Sequence, residues 1–485
     1  MEINEHSNNL KKNYNIFMFI YEELQNSSSS LVLIQNVSEI IKNFNSKKNS
    51  ENVNISYEYY KQFNIQTIRY IYDILFNIKN VTIDDLKIYI PKYKILLCKT
   101  EYKSYGIHRH GWVKVIDEFL KINYTESDDF NYENPNFEWV QYAIKFNLSS
   151  YKDTVEHFNN NLNPPLIDTY KINCIIFDDW LEKTYGWGDK KNKKKYNINF
   201  ISFLHDPPTE NLKDYTFSKF MEGKIKTMDV YNDELFIKEK KELKILITLS
   251  TSHKDFIVSK NIYKSNIYCL HHPLNNCIDT ETEFSFDKYT TNQYKKIYMI
   301  GWWLRKFDTF INLKNKLHDK IILIKQNEGK HVVDYTLYEI RKTITPESAD
   351  NTRDQTELSD DELAILKTNY NTSICNFLSN NKYDEIFIKN IVFLDFYSTS
   401  ANNVILECIS LNTPVLVNSN EATINYLGKD YPFYYNSLEE AENKLNNIDL
   451  IRETNNYLKN MDKSNLSYES FNNKLSNIIN ESFSK

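Results

Sequence analysis

Glycine is scarce. The chain of 485 residues has 8, together with 10 prolines. Each glycine is therefore informative, because those that remain are expected where a Cβ is not tolerated. Cysteine is sparse too. Cys98, Cys174, Cys269, Cys277, Cys375 and Cys408 lie far apart with no close pair, which excludes a zinc ribbon or a dithiol redox motif. Most sit in apolar runs and read as small core residues of a protein in a reducing compartment. Charge of one sign is missing as well: the net charge is −6, with acids and bases mixed along the chain. One basic run, Lys190 to Lys195, reads as a solvated loop. No nucleic-acid partner is expected. No long hydrophobic run appears either. Ile16 to Tyr21 is apolar, but Glu22 and Glu23 end it, so it is too short to span a membrane and has no small-residue cleavage site. A soluble, cytoplasmic protein without a transmembrane segment is expected.

Tyrosine, by contrast, numbers 36, and asparagine, lysine and isoleucine abound. This is the composition expected from an AT-rich genome, so runs such as Asn159-Asn160-Asn161 are not read as functional. Apolar runs punctuate the chain as strands: Tyr93–Cys98, Cys174–Phe177, Phe200–Leu204, Lys244–Leu249 and Asn266–Leu270 in a first series. Lys296–Ile300, Ile321–Ile324, Ile391–Phe396 and Val415–Asn418 make a second. Polar loops and helical spacing separate them, the pattern of open α/β sheets. The predicted fold class is α/β, with two Rossmann-like domains and a helical N-terminal extension. The boundaries are 1–90 for the extension, 91–285 and 286–450 for the two domains, and 451–485 for terminal helices that pack back toward the first domain. Thr345 to Glu362 reads as a polar insertion or long loop. There is no internal repeat.

The most telling stretch follows Ile391–Phe396. Tyr397-Ser398-Thr399-Ser400-Ala401-Asn402-Asn403 is a polar loop. Ile405, Leu406 and Ile409 then suit a helix, Asn412-Thr413-Pro414 breaks it, and Val415–Asn418 is the next strand. In such a unit the loop lies at the strand carboxyl ends, where open α/β sheets bind ligands. Its N–H groups and the helix N-terminus suit phosphate. Glu407, one turn inside the helix, can accept hydrogen bonds from sugar hydroxyls.

This segment, continuing through Glu421 to Tyr426-Leu427-Gly428-Lys429-Asp430-Tyr431-Pro432-Phe433-Tyr434, resembles the nucleotide-sugar site of glycosyltransferases with the GT-B fold. It is loosely similar to the large retaining group that includes sucrose and trehalose synthases. There, two glutamates are separated by seven residues and the second binds the donor ribose. Glu407 matches the second, while Thr399 stands where the first would be, a departure from the pattern.

The resemblance implies transfer of a sugar from a UDP- or GDP-linked donor to a hydroxyl acceptor, either glycan or protein, in the cleft that GT-B enzymes form between their two domains. No resident cofactor is implied. Ser400, Asn402, Asn403, Glu407, Lys325 and Gly301 become candidate donor-binding residues. Arg305, after the first strand of the second domain, is the first choice for the diphosphate, since a planar fork suits phosphate oxygens. Trp302 and Trp303 cover a base or acceptor, or pack between domains. In the first domain, Gly106, His108, Arg109, His110 and Gly111 form a loop for acceptor or phosphate, and His110 is a candidate base at neutral pH. His205 is the positional match to a histidine that reaches the donor sugar. Whether the enzyme retains or inverts is left open. His271-His272 would point opposite ways on a strand, and neither Asp128-Asp129 nor Asp178-Asp179 makes a convincing carboxylate site, so no metal is expected. A nucleotide-sugar epimerase, a polyol-phosphate transferase and a non-catalytic glycan- or partner-binding relative are the alternatives.

Overall fold

A computed structural model describes residues 93–102, 115, 137–146, 174–177, 199–205, 207–208, 243–263, 266–274, 283–324, 330–347, 349, 357–375 and 378–483. The expected N-terminal helical extension lies outside the described residues. The chain divides into two compact units, Met1–Glu101, Leu120–Asp178 and Tyr185–Phe200 in one, and Tyr102–Phe119, Asp179–Thr184 and Ile201–Lys485 in the other.

The first unit contributes β1 (Tyr93–Tyr102), β2 (Phe137–Phe146) and β3 (Cys174–Phe177), in the order β2-β1-β3. β1 and β3 are parallel, with Ile95 opposite Cys174 and Cys98 opposite Phe177. β2 was not anticipated from the sequence.

The second unit carries β4 (Asn199–Leu204), β5 (Leu243–Thr248) and β6 (Ile267–Cys269), and then a complete six-stranded sheet. Its strands are β7 (Lys296–Ile300), β8 (Asp319–Leu323), β9 (Thr372–Cys375), β10 (Ile391–Leu394), β11 (Val415–Asn418) and β12 (Tyr434–Tyr435). The order is β12-β11-β10-β7-β8-β9, and every pair in it is parallel. This is the doubly wound order, with its reversal between β7 and β10. Strands buried on both faces must be apolar throughout. Accordingly Ile391, Val392, Phe393, Leu394, Val415, Leu416 and Val417 are all fully buried.

Among the described residues the helices are α1 (Thr251–Ser259), α2 (Phe286–Thr291), α3 (Phe307–Asn312), α4 (Lys330–Ile344), α5 (Asp360–Tyr370), α6 (Asn380–Lys389), α7 (Asn403–Ser410), α8 (Glu421–Leu427), α9 (Leu438–Leu445), α10 (Ile448–Asn460) and α11 (Tyr468–Phe483). Part of the expected polar insertion is helix: Ser359 and Glu362 form a reciprocal capping box that starts α5. Glu362 also pairs with the fully buried Arg341 of α4 at 3.1 Å. Lys320 of β8 closes the end of α3, its ammonium donating to the carbonyls of Phe310 (3.2 Å), Ile311 (2.5 Å) and Leu313 (2.8 Å). Burial lowers its pKa to about 8. At the far end of the chain, Phe471 of α11 stacks on Phe203 of β4, with ring centroids 6.2 Å apart.

With glycine so scarce, left-handed turns fall to asparagine. The non-glycine residues with positive φ among those described are Asn261, Asn266, Leu304, Asn371 and Asn412. Asn371 (φ 46°) terminates α5. Asn412 (φ 57°) turns the chain between α7 and β11, and its side chain donates to Glu283 (3.1 Å) and accepts from Lys463 (2.6 Å). Its carbonyl accepts from the Asn455 amide at 2.7 Å.

Candidate functional site

The reversal point between β7 and β10 is where the two following loops meet. The Tyr397 N–H donates to the Leu304 carbonyl (3.0 Å) and the Lys306 N–H to the Asp395 carbonyl (3.0 Å). Arg305 and Phe396 form an antiparallel bridge. Side chains tighten the junction. The Arg305 guanidinium lies 4.3 Å from the Phe396 ring centre, and Lys306 pairs with Asp395 at 3.1 Å. Asn418, at the end of β11, accepts from the Phe396 N–H (2.9 Å) and donates to its carbonyl (3.0 Å). Leu304 is buried and holds φ 54°. For a branched apolar residue that is strained backbone, costing on the order of 1–3 kcal/mol and concentrated in proteins at functional turns.

Gly301 and Arg305 explain one another. Gly301 has φ 84°, and a Cβ there would lie 3.2 Å from the Arg305 Nη2. Glycine takes this turn without strain, and any other residue would press its Cβ against the guanidinium. Arg305 itself is 2% exposed and donates to the carbonyls of Ile300 (3.3 Å) and Trp303 (3.1 Å). Trp302 and Trp303 are half-buried and meet edge to face at 5.2 Å, with Trp302 also against Tyr335 at 6.0 Å.

The loop after β10 is anchored along its length. The Ser398 hydroxyl donates to the Pro208 carbonyl (2.8 Å). Ser400 is buried and shares a 3.0 Å hydrogen bond with Nδ1 of His253 in α1. Asn402 caps α7, its Oδ1 accepting from the N–H groups of Val404 (3.1 Å) and Ile405 (3.3 Å). Asn403 is exposed at the first turn. Glu407 is nearly buried, and the Tyr383 hydroxyl of α6 donates to its carboxylate at 2.7 Å.

His253 is the residue that sequence reasoning missed. Its ring is 1% exposed. Burial, with the charge of nearby His205 second, lowers its pKa from 6.5 to about 3, so at neutral pH it is an uncharged imidazole. The preference for ligand sites at strand carboxyl ends, applied to β5, is the signal that could have found it, since His253 lies just past that strand. The N-terminus of α1 is also occupied: the N–H groups of Thr251 (3.0 Å) and Ser252 (3.3 Å) donate to the Asn425 side chain of α8. Beside it, Tyr426 donates to the Leu249 carbonyl (2.6 Å) and accepts from the His272 N–H (3.1 Å).

Thus His205, His253 and Ser400 form one group, Gly301, Arg305 and Phe396 a second, and Tyr383 and Glu407 a third, all in the second unit. Gly106, His108, His110, Gly111 and Lys325 lie outside the described residues. No group of three or more His, Cys, Asp or Glu among the described residues is arranged to hold a metal ion. No helix among them is long and apolar enough to cross a membrane.

No family model matches this sequence, and no curated protein does. Solved structures do. A sucrose-phosphate synthase from Thermosynechococcus elongatus superimposes with a TM-score of 0.54 at 10% identity, covering 81% of this chain and 99% of that one. HepE from Anabaena, solved in complex with UDP and glucose, gives 0.52 at 9% identity, with 80% and 100% covered. The chain has the GT-B fold. A third GT-B neighbour, the α,α-trehalose 6-phosphate synthase from Burkholderia multivorans, gives 0.51 at 8% identity, with 81% and 97% covered. The α/β architecture with two sheets predicted from the sequence is that of these neighbours.

Proposed function

We propose that the protein is a glycosyltransferase that moves a sugar from a nucleotide-sugar donor to a hydroxyl group of a glycan or protein. The observation that carries this reading is the loop at the reversal point of the second sheet. It is a hydroxyl-rich segment pinned by Ser398, Ser400 and Asn402, and it leads into a helix whose acid, Glu407, is held by Tyr383. A pre-positioned carboxylate suits a ribose diol, because its orientation is fixed before the ligand arrives. UDP-glucose is the first donor to test, since HepE, of the same fold, was solved with UDP and glucose; a GDP-linked donor is next.

In this reading Ser400, Asn402, Asn403, Gly301 and Lys325 surround the donor, Arg305 faces its diphosphate, and His205 reaches its sugar. His110, with Gly106, His108 and Gly111, serves the acceptor or phosphate in the domain spanning 91–285, while the domain spanning 286–450 holds the nucleotide. The chemistry needs no metal, and the protein acts in the cytoplasm. A second reading, a non-catalytic binding protein on the same fold, is favoured by Thr399 in place of the first glutamate and by the engagement of Arg305 with backbone carbonyls.

The test is calorimetric titration of UDP and UDP-glucose into the full chain and into Glu407→Ala and Tyr383→Phe variants, followed by product analysis with a panel of acceptors. Glu407→Ala is expected to weaken binding by roughly 1–3 kcal/mol, the scale of a lost buried hydrogen-bond partner. Unchanged affinity in a folded Glu407→Ala variant refutes the ribose assignment. Tight binding with neither transfer nor donor hydrolysis selects the second reading.

A further inference from the structure

Beyond the loop that carries Glu407, the same sheet edge bears a pocket of about 390 Å³. It opens where α3 begins and where β10, β11 and β12 end, so it too sits at strand carboxyl ends. Its floor is built. Asp395 is 5% exposed and ion-paired with Lys306. Tyr435 beside it is buried, and its hydroxyl donates to the Leu394 carbonyl at 3.2 Å. Its rim is exposed and polar: Asp308 and Asn312 come from the α3 side and Asn436 from the β12 side. Leu438 is the only aliphatic residue in the lining.

Three physical arguments narrow the occupant. The volume lies at the small end of ligand pockets, which run from roughly 300 to 1,000 Å³; that suits one small molecule rather than a peptide. The charges hold neither ion well. Lys306 is paired with Asp395, and the one remaining charge, on exposed Asp308, repels phosphate but is screened by water and makes only a weak ion pair with an amine. What remains is a dense alternation of carboxylate, amide and hydroxyl groups. A ligand hydroxyl both donates and accepts, so a polyol satisfies such a wall where an apolar molecule would strand it.

We propose that this pocket binds a neutral polyhydroxylated molecule of monosaccharide size, held by Asp308, Asn312 and Asn436 at the rim and by Asp395 and Tyr435 on the floor. The site is separate from Glu407 and Ser400 and does not depend on the glycosyltransferase reading. A free sugar, or one residue of a longer glycan, fits it. Without an apolar anchor the affinity is weak.

The test is saturation-transfer NMR and calorimetry on the full chain with free glucose, galactose, mannose, N-acetylglucosamine and inositol, and with inorganic phosphate and a simple primary amine as charged controls. Asp308→Ala and Asn312→Leu alter exposed rim residues and leave the core intact; circular dichroism checks their folding. At least one of the neutral polyols is expected to bind, and each variant is expected to bind it about tenfold more weakly, the scale of one lost hydrogen bond to a charged or buried group. Glu407→Ala is expected to leave that binding unchanged. The proposal is overturned if none of the neutral polyols binds, if phosphate or the amine binds instead, if both rim variants bind as the wild type does, or if Glu407→Ala abolishes the signal. A failure of UDP to bind, with the polyol result intact, refutes the donor site alone.

Discussion

Replacing His253 by asparagine is expected to remove an acid sensitivity that this one ring imposes on the fold. In the folded chain burial, and secondarily His205, hold its pKa at about 3, against 6.5 for an unperturbed histidine. Between those values the unfolded chain binds a proton that the folded chain refuses. The contribution of the neutral ring is therefore fully present above about pH 6.5 and is lost progressively as pH falls toward 3. At about pH 5 the deficit is roughly one and a half pH units, which is about 2 kcal/mol at 1.36 kcal/mol per unit. His318, also lowered to about 3 by burial and then by Lys295, remains in the variant and supplies an internal reference of similar size. Asparagine is polar enough to keep a partner for Ser400. The assay is urea denaturation followed by tryptophan fluorescence at about pH 7.5 and about pH 5, for wild type and His253→Asn. The wild type is expected to lose about 2 kcal/mol more than the variant between the two conditions. Equal losses would show that the ring is already protonated or solvent-accessible in the folded state, and the account of a neutral buried imidazole beside Ser400 would fail.

The other expectations concern chemistry. Arg305→Ala should lower turnover by about 10²–10³ if the guanidinium meets the departing diphosphate; because two backbone carbonyls lose their donor as well, melting temperature must be measured in parallel, and a destabilised variant with normal turnover per folded molecule makes Arg305 a purely structural residue. Transfer should survive EDTA; loss of activity restored by manganese or magnesium would contradict the metal-independent scheme. His205→Ala and His110→Ala should each fold, and at least one should abolish transfer while leaving nucleotide affinity intact. Full activity in both removes His205 and His110 from the chemistry.

The sheet of the second unit was legible because parallel strands covered on both faces must be continuous apolar runs, as at Ile391–Leu394 and Val415–Val417. β9 escaped notice because Thr372-Ser373-Ile374-Cys375 lies at an edge and is half polar, and β12 because two residues carry no period. The loop from Tyr397 to Asn403 and Glu407 were visible because capping and turn chemistry are local. The contacts that give the loop its shape were not. Ser400 meets His253 across 147 residues, and Asn425 reaches the start of α1 across 174. Tyr383 finds Glu407 only because α6 and α7 flank the same strand. Spacing along a chain does not encode such encounters. Arg305 was legible as a cation at the right loop, but its burial against Phe396 and Gly301 was not.

The asparagine turns give the chain's composition a conformational meaning. Glycine codons are rich in G and asparagine codons rich in A, so a genome drifting toward A and T erodes the one residue that enters left-handed backbone freely. Four of the five left-handed non-glycine positions described here are asparagine, the side chain best able to take that conformation in glycine's stead. Asparagine adds something a hydrogen atom could not: at Asn412 the same residue that turns the backbone also ties Glu283 and Lys463 to the turn. Replacing Asn412 by glycine would keep the path of the chain and release both tethers, so here the turn and the cross-link are a single residue.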